Sequence, residues 1–189
     1  MSNEAKNVSV GKPKVGGAIF RAPLGTKLPT DAKTELDAAY QCLGYVSSDG
    51  VSNTNSPESG SIKAWGGDTV CTYQSEKTDT FSFKLIECLN VEVLKAVYGS
   101  QNVTGDLDAG VTVKANSTEQ ESAIWVIDLI MRGGVLKRIV IFDASITEME
   151  EIVYTGEDCV GYGVTLTAIP DQNGDTHHEY LVKPTAAAG

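Results

Sequence analysis

Two apolar runs, Ser122 to Arg132 and Val135 to Asp143, meet at the pair Gly133-Gly134. Side chains alternate along a strand. The first run therefore divides into Ala123, Trp125, Ile127, Leu129 and Met131 on one side and Ser122, Ile124, Val126, Asp128 and Ile130 on the other. The glycine pair supplies the positive φ of a tight turn, so the segment reads as a β-hairpin. Both of its faces are largely apolar, and such a ribbon must be packed on two sides.

Other segments carry the same period. Phe81, Phe83 and Leu85 share a face against Thr80, Ser82 and Lys84, and Thr69–Ser75 with Asp79–Leu89 reads as a hairpin turning at Glu76-Lys77-Thr78. In Cys159–Ile169, Val160, Tyr162, Val164, Leu166 and Ala168 point inward, with Gly161, Gly163, Thr165 and Thr167 opposite. Shorter strands are expected at Ala18–Ala22, Gly110–Lys114 and His178–Val182, with turns at Pro23–Thr26 and Asp171–Gly174. Val91–Tyr98 has helical spacing and Gly99 to end it. Ala32–Leu43 reads as a short helix or an irregular loop, and Ser145–Val153 as helix or strand. The fold class that follows is mainly β: a β-sandwich or curled sheet with one or two short flanking helices. Residues 1–17 form an extended arm, 18–182 a β-rich domain with a long polar loop at 47–61, and 183–189 a tail.

The formal net charge of −10 opposes gripping a phosphate backbone and suits a surface past which nucleic acid must slide. Met1 to Ser9 is polar, with no signal-peptide pattern, and the apolar run near Ala123–Met131 is too short for a membrane anchor. Cys42, Cys71, Cys88 and Cys159 lack metal or redox spacing and are expected to be reduced and mostly buried.

A catalytic constellation is hard to assemble from these residues. His177 and His178 are the chain's histidines, lie beside an expected turn, and have no nucleophile elbow nearby. With Glu179 they lack a metal-binding spacing, and neighbouring strand positions point oppositely. Asp171, Asn173 and Asp175 resemble half a calcium loop, but Val182 stands where the closing Glu belongs. Gly161-Tyr162-Gly163 sits inside a strand, where glycines mark a bend or a close backbone approach. The acidic residues Glu148, Glu150, Glu151, Glu157 and Asp158 read as a solvated face. No catalytic residue, metal or cofactor is assigned, and the chain reads as a non-enzyme.

Several phrases resemble the tail-tube (major tail) proteins of long-tailed, siphovirus-type bacteriophages. They are Gly17-Ala18-Ile19-Phe20-Arg21-Ala22-Pro23-Leu24-Gly25-Thr26, Leu28–Ala32, Leu43–Val51, Ala64-Trp65-Gly66-Gly67-Asp68, Glu87 with Val91–Gly99, and Asn102-Val103-Thr104. The resemblance implies a structural virion protein, assembled in the bacterial cytoplasm, that stacks as hexameric rings. Hairpins of neighbouring copies would join into one inner barrel through which double-stranded DNA passes without specific binding. It also implies tape-measure, tail-terminator and distal-tail partners. On that reading Asp68, Asp79, Asp128 and Glu157 are candidates to line the lumen. Val8, Lys12, Ser48, Asp49, Asn53 and Glu58 are candidates for contacts between rings, and Thr72, Phe83, Trp125 and Val140 for hairpins joining between subunits.

Geometry agrees with such an assembly. A conduit for DNA about 20 Å wide needs a barrel roughly 45–50 Å across. With strands ~4.8 Å apart and tilted about 40°, that takes on the order of 24 strands, or about four from each of six copies. The tube of a phage-derived injection particle has the same logic. A different class, a ligand- or carbohydrate-binding β-sandwich, would need an aromatic cluster on one loop face. Trp65, Tyr73 and Tyr162 are the residues available, and they read as core packing.

Overall fold

In the computed structural model, which describes residues 3–183, the chain is mainly β and antiparallel. The strands are β1 (Lys12–Pro13), β2 (Ile19–Pro23), β3 (Gln41–Cys42), β4 (Val46–Lys63), β5 (Thr69–Leu85), β6 (Val103–Asp106), β7 (Gly110–Val113), β8 (Ala123–Ile130), β9 (Leu136–Met149), β10 (Tyr162–Ala168) and β11 (His177–Val182). The α-helix among the described residues is α1 (Val91–Tyr98). Nine strands make one sheet in the order β3-β2-β8-β9-β10-β5-β4, with β1 extending beside β8 and β11 beside β9; β6 and β7 pair separately.

The sheet is curled. Between β5 and β8 lie β10 and β9, three strand spacings or about 14 Å if the sheet were flat. Yet the rings of Phe83 on β5 and Trp125 on β8 are 6.1 Å apart. The concave side is filled by Phe81, Phe83, Leu85, Trp125, Ile127, Ile141, Val164 and Leu166, and is plugged by Val93, Leu94, Ala96 and Val97 of α1. Asn90 caps that helix by accepting from the Glu92 N–H at 3.0 Å. Gly99, at φ +93, ends it.

The other side of β8 and β9 is also covered. Ala22, Ile124, Val126 and Val140 form a second cluster with Tyr40, Leu36, Phe142 and Tyr180. This is the two-sided burial that the double-faced apolar hairpin requires. Its cover is the irregular segment 24–40, where the expectation of a helix or a loop resolves as a loop. Arg138 clamps that segment. Its Nη1 donates to the carbonyls of Asp31 (3.0 Å) and Thr34 (2.8 Å), while Nε and Nη2 donate to the Asp128 carboxylate at 2.6 and 2.8 Å. Asp128 and Arg138 are directly opposed across β8 and β9, so their contact is set by strand register.

Four sequence expectations need correction. Residues 47–61 are not a loop but most of β4. Glu76-Lys77-Thr78 is not a turn; it lies inside the continuous β5, and the chain reverses instead at residues 64–68, where the Gly67 N–H donates to Ala64 O at 2.9 Å. The cysteines are free, but none is buried: Cys42 and Cys88 are half-buried, Cys71 and Cys159 exposed. Trp65 and Tyr73 are not core residues, since Trp65 is exposed to 105% and Tyr73 to 52% of their reference areas, whereas Tyr162 is buried. The common cause of the strand errors is that β4 and β5 run far past the core. There, period-2 patterning has no buried face to record. The expected tail at 183–189 lies outside the described residues beyond Lys183.

Candidate assembly surface

From Thr54 outward β4 is exposed at every position but half-buried Gly60, and β5 is exposed as far as Lys77. A two-stranded ribbon exposed on both faces is at best marginally stable by itself, and its unpaired N–H and C=O groups are a template for another chain. β10 pairs with β5 only as far as Thr80, so the ribbon's far half has two open edges.

At the root of the ribbon sits Asp79, 1% exposed. Its carboxylate accepts from Asn53 Nδ2 at 2.7 Å and Thr176 Oγ1 at 2.5 Å, and lies 2.6 Å from His177 Nδ1. His177 also sets its ring edge-to-face against Phe81, with centroids 5.2 Å apart. The cluster ties β4 and β5 to the turn before β11, so the ribbon leaves the body in one direction. His177 is therefore a half-buried anchor at the first position of β11, and not only a residue beside a turn. Nothing in the sequence pattern joins it to Asp79, because the contact spans 98 positions.

The convex face of β4, β5, β10 and β9 is a second distinctive surface. Register places Ser52, Ser82, Thr165 and Glu148 in one row, and Thr54, Thr80, Thr167 and Ser145 in the next. The hydroxyls bond across strands, Ser82 Oγ to Thr165 Oγ1 at 2.9 Å and Thr147 Oγ1 to Thr167 Oγ1 at 2.8 Å. Farther out on the same face Ser56 opposes Thr78 and Glu58 opposes Glu76. Like charges directly opposed on a sheet repel, so this acidic pair needs water around it. The alternation Thr80/Ser82 and Thr165/Thr167 was readable in the sequence; their alignment into one four-strand face was not. Gly163 on this face sits beneath the Glu150 side chain, where a Cβ would collide with the carboxylate, so it is a close-approach glycine.

The third feature is a cleft of about 530 Å³ between the N-terminal segment and the start of β4. Its walls include Lys14, Gly16, Gly17, Cys42, Gly44 and Glu87. Three of those walls are glycines, which is why space remains. The Glu87 carboxylate reaches over Gly44 to accept from the Tyr45 N–H (3.0 Å) and from Asn90 Nδ2 (3.1 Å).

The residues singled out from sequence are scattered by the fold. Asp128, 3% exposed, is held by Arg138, and Asp79, 1% exposed, is held by Asn53, Thr176 and His177, so both carboxylates are taken up by partners within the subunit and neither is free to line a lumen. Asp68 is exposed at the ribbon's turn and Glu157 in the irregular stretch before β10. Phe83, Trp125 and Val140 are core side chains and offer nothing to a neighbour, because the strands they sit on are interior to the sheet. Thr72, Ser48, Asp49, Asn53 and Glu58 are all exposed on the β4–β5 ribbon. Val8 and Lys12 are exposed in the N-terminal segment, which is laid against the end of β8 by Lys12–Ile130 and Pro13–Leu129 pairing and by the Arg132 N–H donating to Ser9 Oγ at 2.7 Å.

A long self-pairing ribbon, an unclosed sheet and a hydroxyl-lined outer face describe a part made to be joined to others. No curated protein matches the chain. The family model of the phage tail tube protein matches residues 2–189, nearly its whole length. The chain belongs to the phage tail tube protein family.

Proposed function

We propose that this structural tail protein polymerises as stacked hexameric rings whose β4, β5, β10 and β9 strands join into one continuous barrel, with the Ser/Thr face turned to the lumen. The observation that carries the reading is that four-strand unit. It ends in an open edge at β4, has its apolar face committed to the subunit core, and leaves its hydroxyl face bare. Six such units supply the on the order of 24 strands that a DNA-wide barrel needs.

Such a lumen wall works passively. Short hydroxyl side chains, already bonded to each other, present few cations to trap a phosphate, and the excess negative charge keeps DNA sliding. Glu58 and Glu76 take the role first given to Asp79 and Asp128. Ser48, Asp49, Asn53 and Thr72 on the ribbon, with Val8 and Lys12 in the arm, are the contacts offered to neighbouring copies. The tape measure fills the lumen before DNA, and terminator and distal-tail proteins close the two ends.

The test is thiol mapping. Thr167→Cys is introduced in a chain whose native cysteines are replaced by Ser, and tubes are identified by negative-stain microscopy. In tubes with closed ends a small charged thiol reagent labels position 167 and a bulky polymer-linked maleimide does not; free subunits accept both. Equal labelling of tubes by both reagents would place this face outside and overturn the assignment.

A further inference from the structure

Trp65 is the most exposed large apolar residue among the described residues, at the first central position of the turn that ends the β4–β5 ribbon. Exposed Ile62, Val70 and Tyr73 stand within the last residues of the same ribbon. An indole buries 150–250 Å² when it finds a pocket and wants an acceptor for its N–H, so leaving it in water forfeits a large contact. At the opposite end of β4, Val46 borders the glycine-walled cleft beneath the N-terminal segment. Knob and hole therefore lie at the two ends of one strand. At ~3.3 Å per residue, and allowing for bulges, they are roughly 50 Å apart, so Trp65 cannot reach the cleft of its own chain.

Resting on the tube reading, we infer that the Trp65 turn of one copy seats in the Lys14–Gly17/Cys42–Gly44/Glu87 cleft of the next. The chemistry on the two sides matches. The cleft's volume exceeds that of a single indole, and its Glu87 carboxylate has lone pairs to spare after its bonds to Tyr45 N and Asn90 Nδ2, enough to accept the indole N–H. Lys63 and Asp68 flank Trp65 in the turn, and Glu87 and Lys14, the latter 39% exposed beside its 3.4 Å contact to Asp128, flank the opening, so each end presents one charge of each sign to its counterpart. Because knob and hole are different surfaces of the same molecule, the contact is head-to-tail: it closes a ring where the rotation between copies closes and extends along an axis where it does not.

The experiment uses the full chain in three forms. The first is wild type followed by tryptophan fluorescence with acrylamide quenching, where Trp125 is buried throughout and Trp65 reports. The second is Trp65→Ala with Trp65→Phe as the conservative partner. The third is Trp65→Cys with Cys71, Cys88 and Cys159 changed to Ser, treated with a short bismaleimide. Expected are loss of Trp65 quenching on assembly, and a critical concentration raised roughly tenfold or more in the Ala variant and less in the Phe variant, the size typical of a truncated interface hot spot. A 65-to-42 crosslink between chains, absent when Cys42 is also changed to Ser, completes the expected set. Tubes that form with Trp65 still quenchable, or with Trp65→Ala at the wild-type critical concentration, overturn this contact and leave the tube reading standing. Failure of wild type to form any ring or tube overturns both.

Discussion

Replacing Asp128 with Asn separates an interior role for this carboxylate from a lumen role. Asp128 and Arg138 side chains are 4% and 1% exposed, and the guanidinium meets the carboxylate through two bonds of 2.6 and 2.8 Å. Removing the negative charge leaves a buried guanidinium uncompensated, which costs about 3–5 kcal/mol. Asn retains one acceptor, so the lower end, about 3 kcal/mol, is expected. The Lys14 contact at 3.4 Å is part-exposed and adds little. Against a total stability of about 5–15 kcal/mol this is a large loss, and for a chain of this size it corresponds to a melting temperature lower by about 6–12 °C. Urea unfolding followed by the fluorescence of buried Trp125 measures it. The double change Asp128→Leu with Arg138→Met should recover part of the loss, since no charge is stranded. Full recovery is not expected, because Arg138 also holds the carbonyls of Asp31 and Thr34. At low temperature the single variant should still assemble. An unchanged urea midpoint in Asp128→Asn would refute the argument that the pair is an interior clamp.

Two further outcomes are specific. Gly44→Ala places a Cβ at φ +72 directly on the Glu87 carboxylate, breaking its bonds to Tyr45 N and Asn90 Nδ2. A loss of roughly 1–3 kcal/mol in chemical denaturation is expected, together with reshaping of the cleft. Asp31 is held at about 2, below its ordinary value of 3.8, by the Thr34 hydroxyl first and then by the backbone N–H groups of Thr34 and Lys33. A depressed carboxyl stabilises the fold above its unfolded pKa and loses that contribution as pH falls through the folded one. Segment 24–40 should therefore loosen between about pH 4 and pH 2, seen as faster amide exchange around Thr34, while Asp31→Asn shows no such step.

Much of the body is legible in the sequence. Alternation in Phe81–Leu85, Tyr162–Ala168 and Ala123–Ile130 records a buried face, because each of those strands touches the core; the doubly apolar β8 even announced two layers of cover. Asn90 and Gly99 bracketed α1 by local chemistry. The ribbon was illegible for the complementary reason. Residues 54–77 bury nothing inside the subunit, so Ser, Asn, Gly and Pro there look like a loop, and Trp65 looks like misplaced core. Their identities are not set by packing inside the subunit.

Single residues near the site divide the same way. A carboxylate's sequence neighbours do not say whether it meets water or a guanidinium. Asp128 finds Arg138 through strand register, and Asp79 finds Asn53, Thr176 and His177 through sheet curl, contacts across 10 to 98 positions that no local pattern encodes. Sequence determined which strands form and which faces they bury, since those follow from short-range alternation and the hydrophobic effect. Only the tertiary structure decided which polar groups are left facing outward, because that depends on how far each strand runs past the core and on which partners the curl of the sheet brings beneath it.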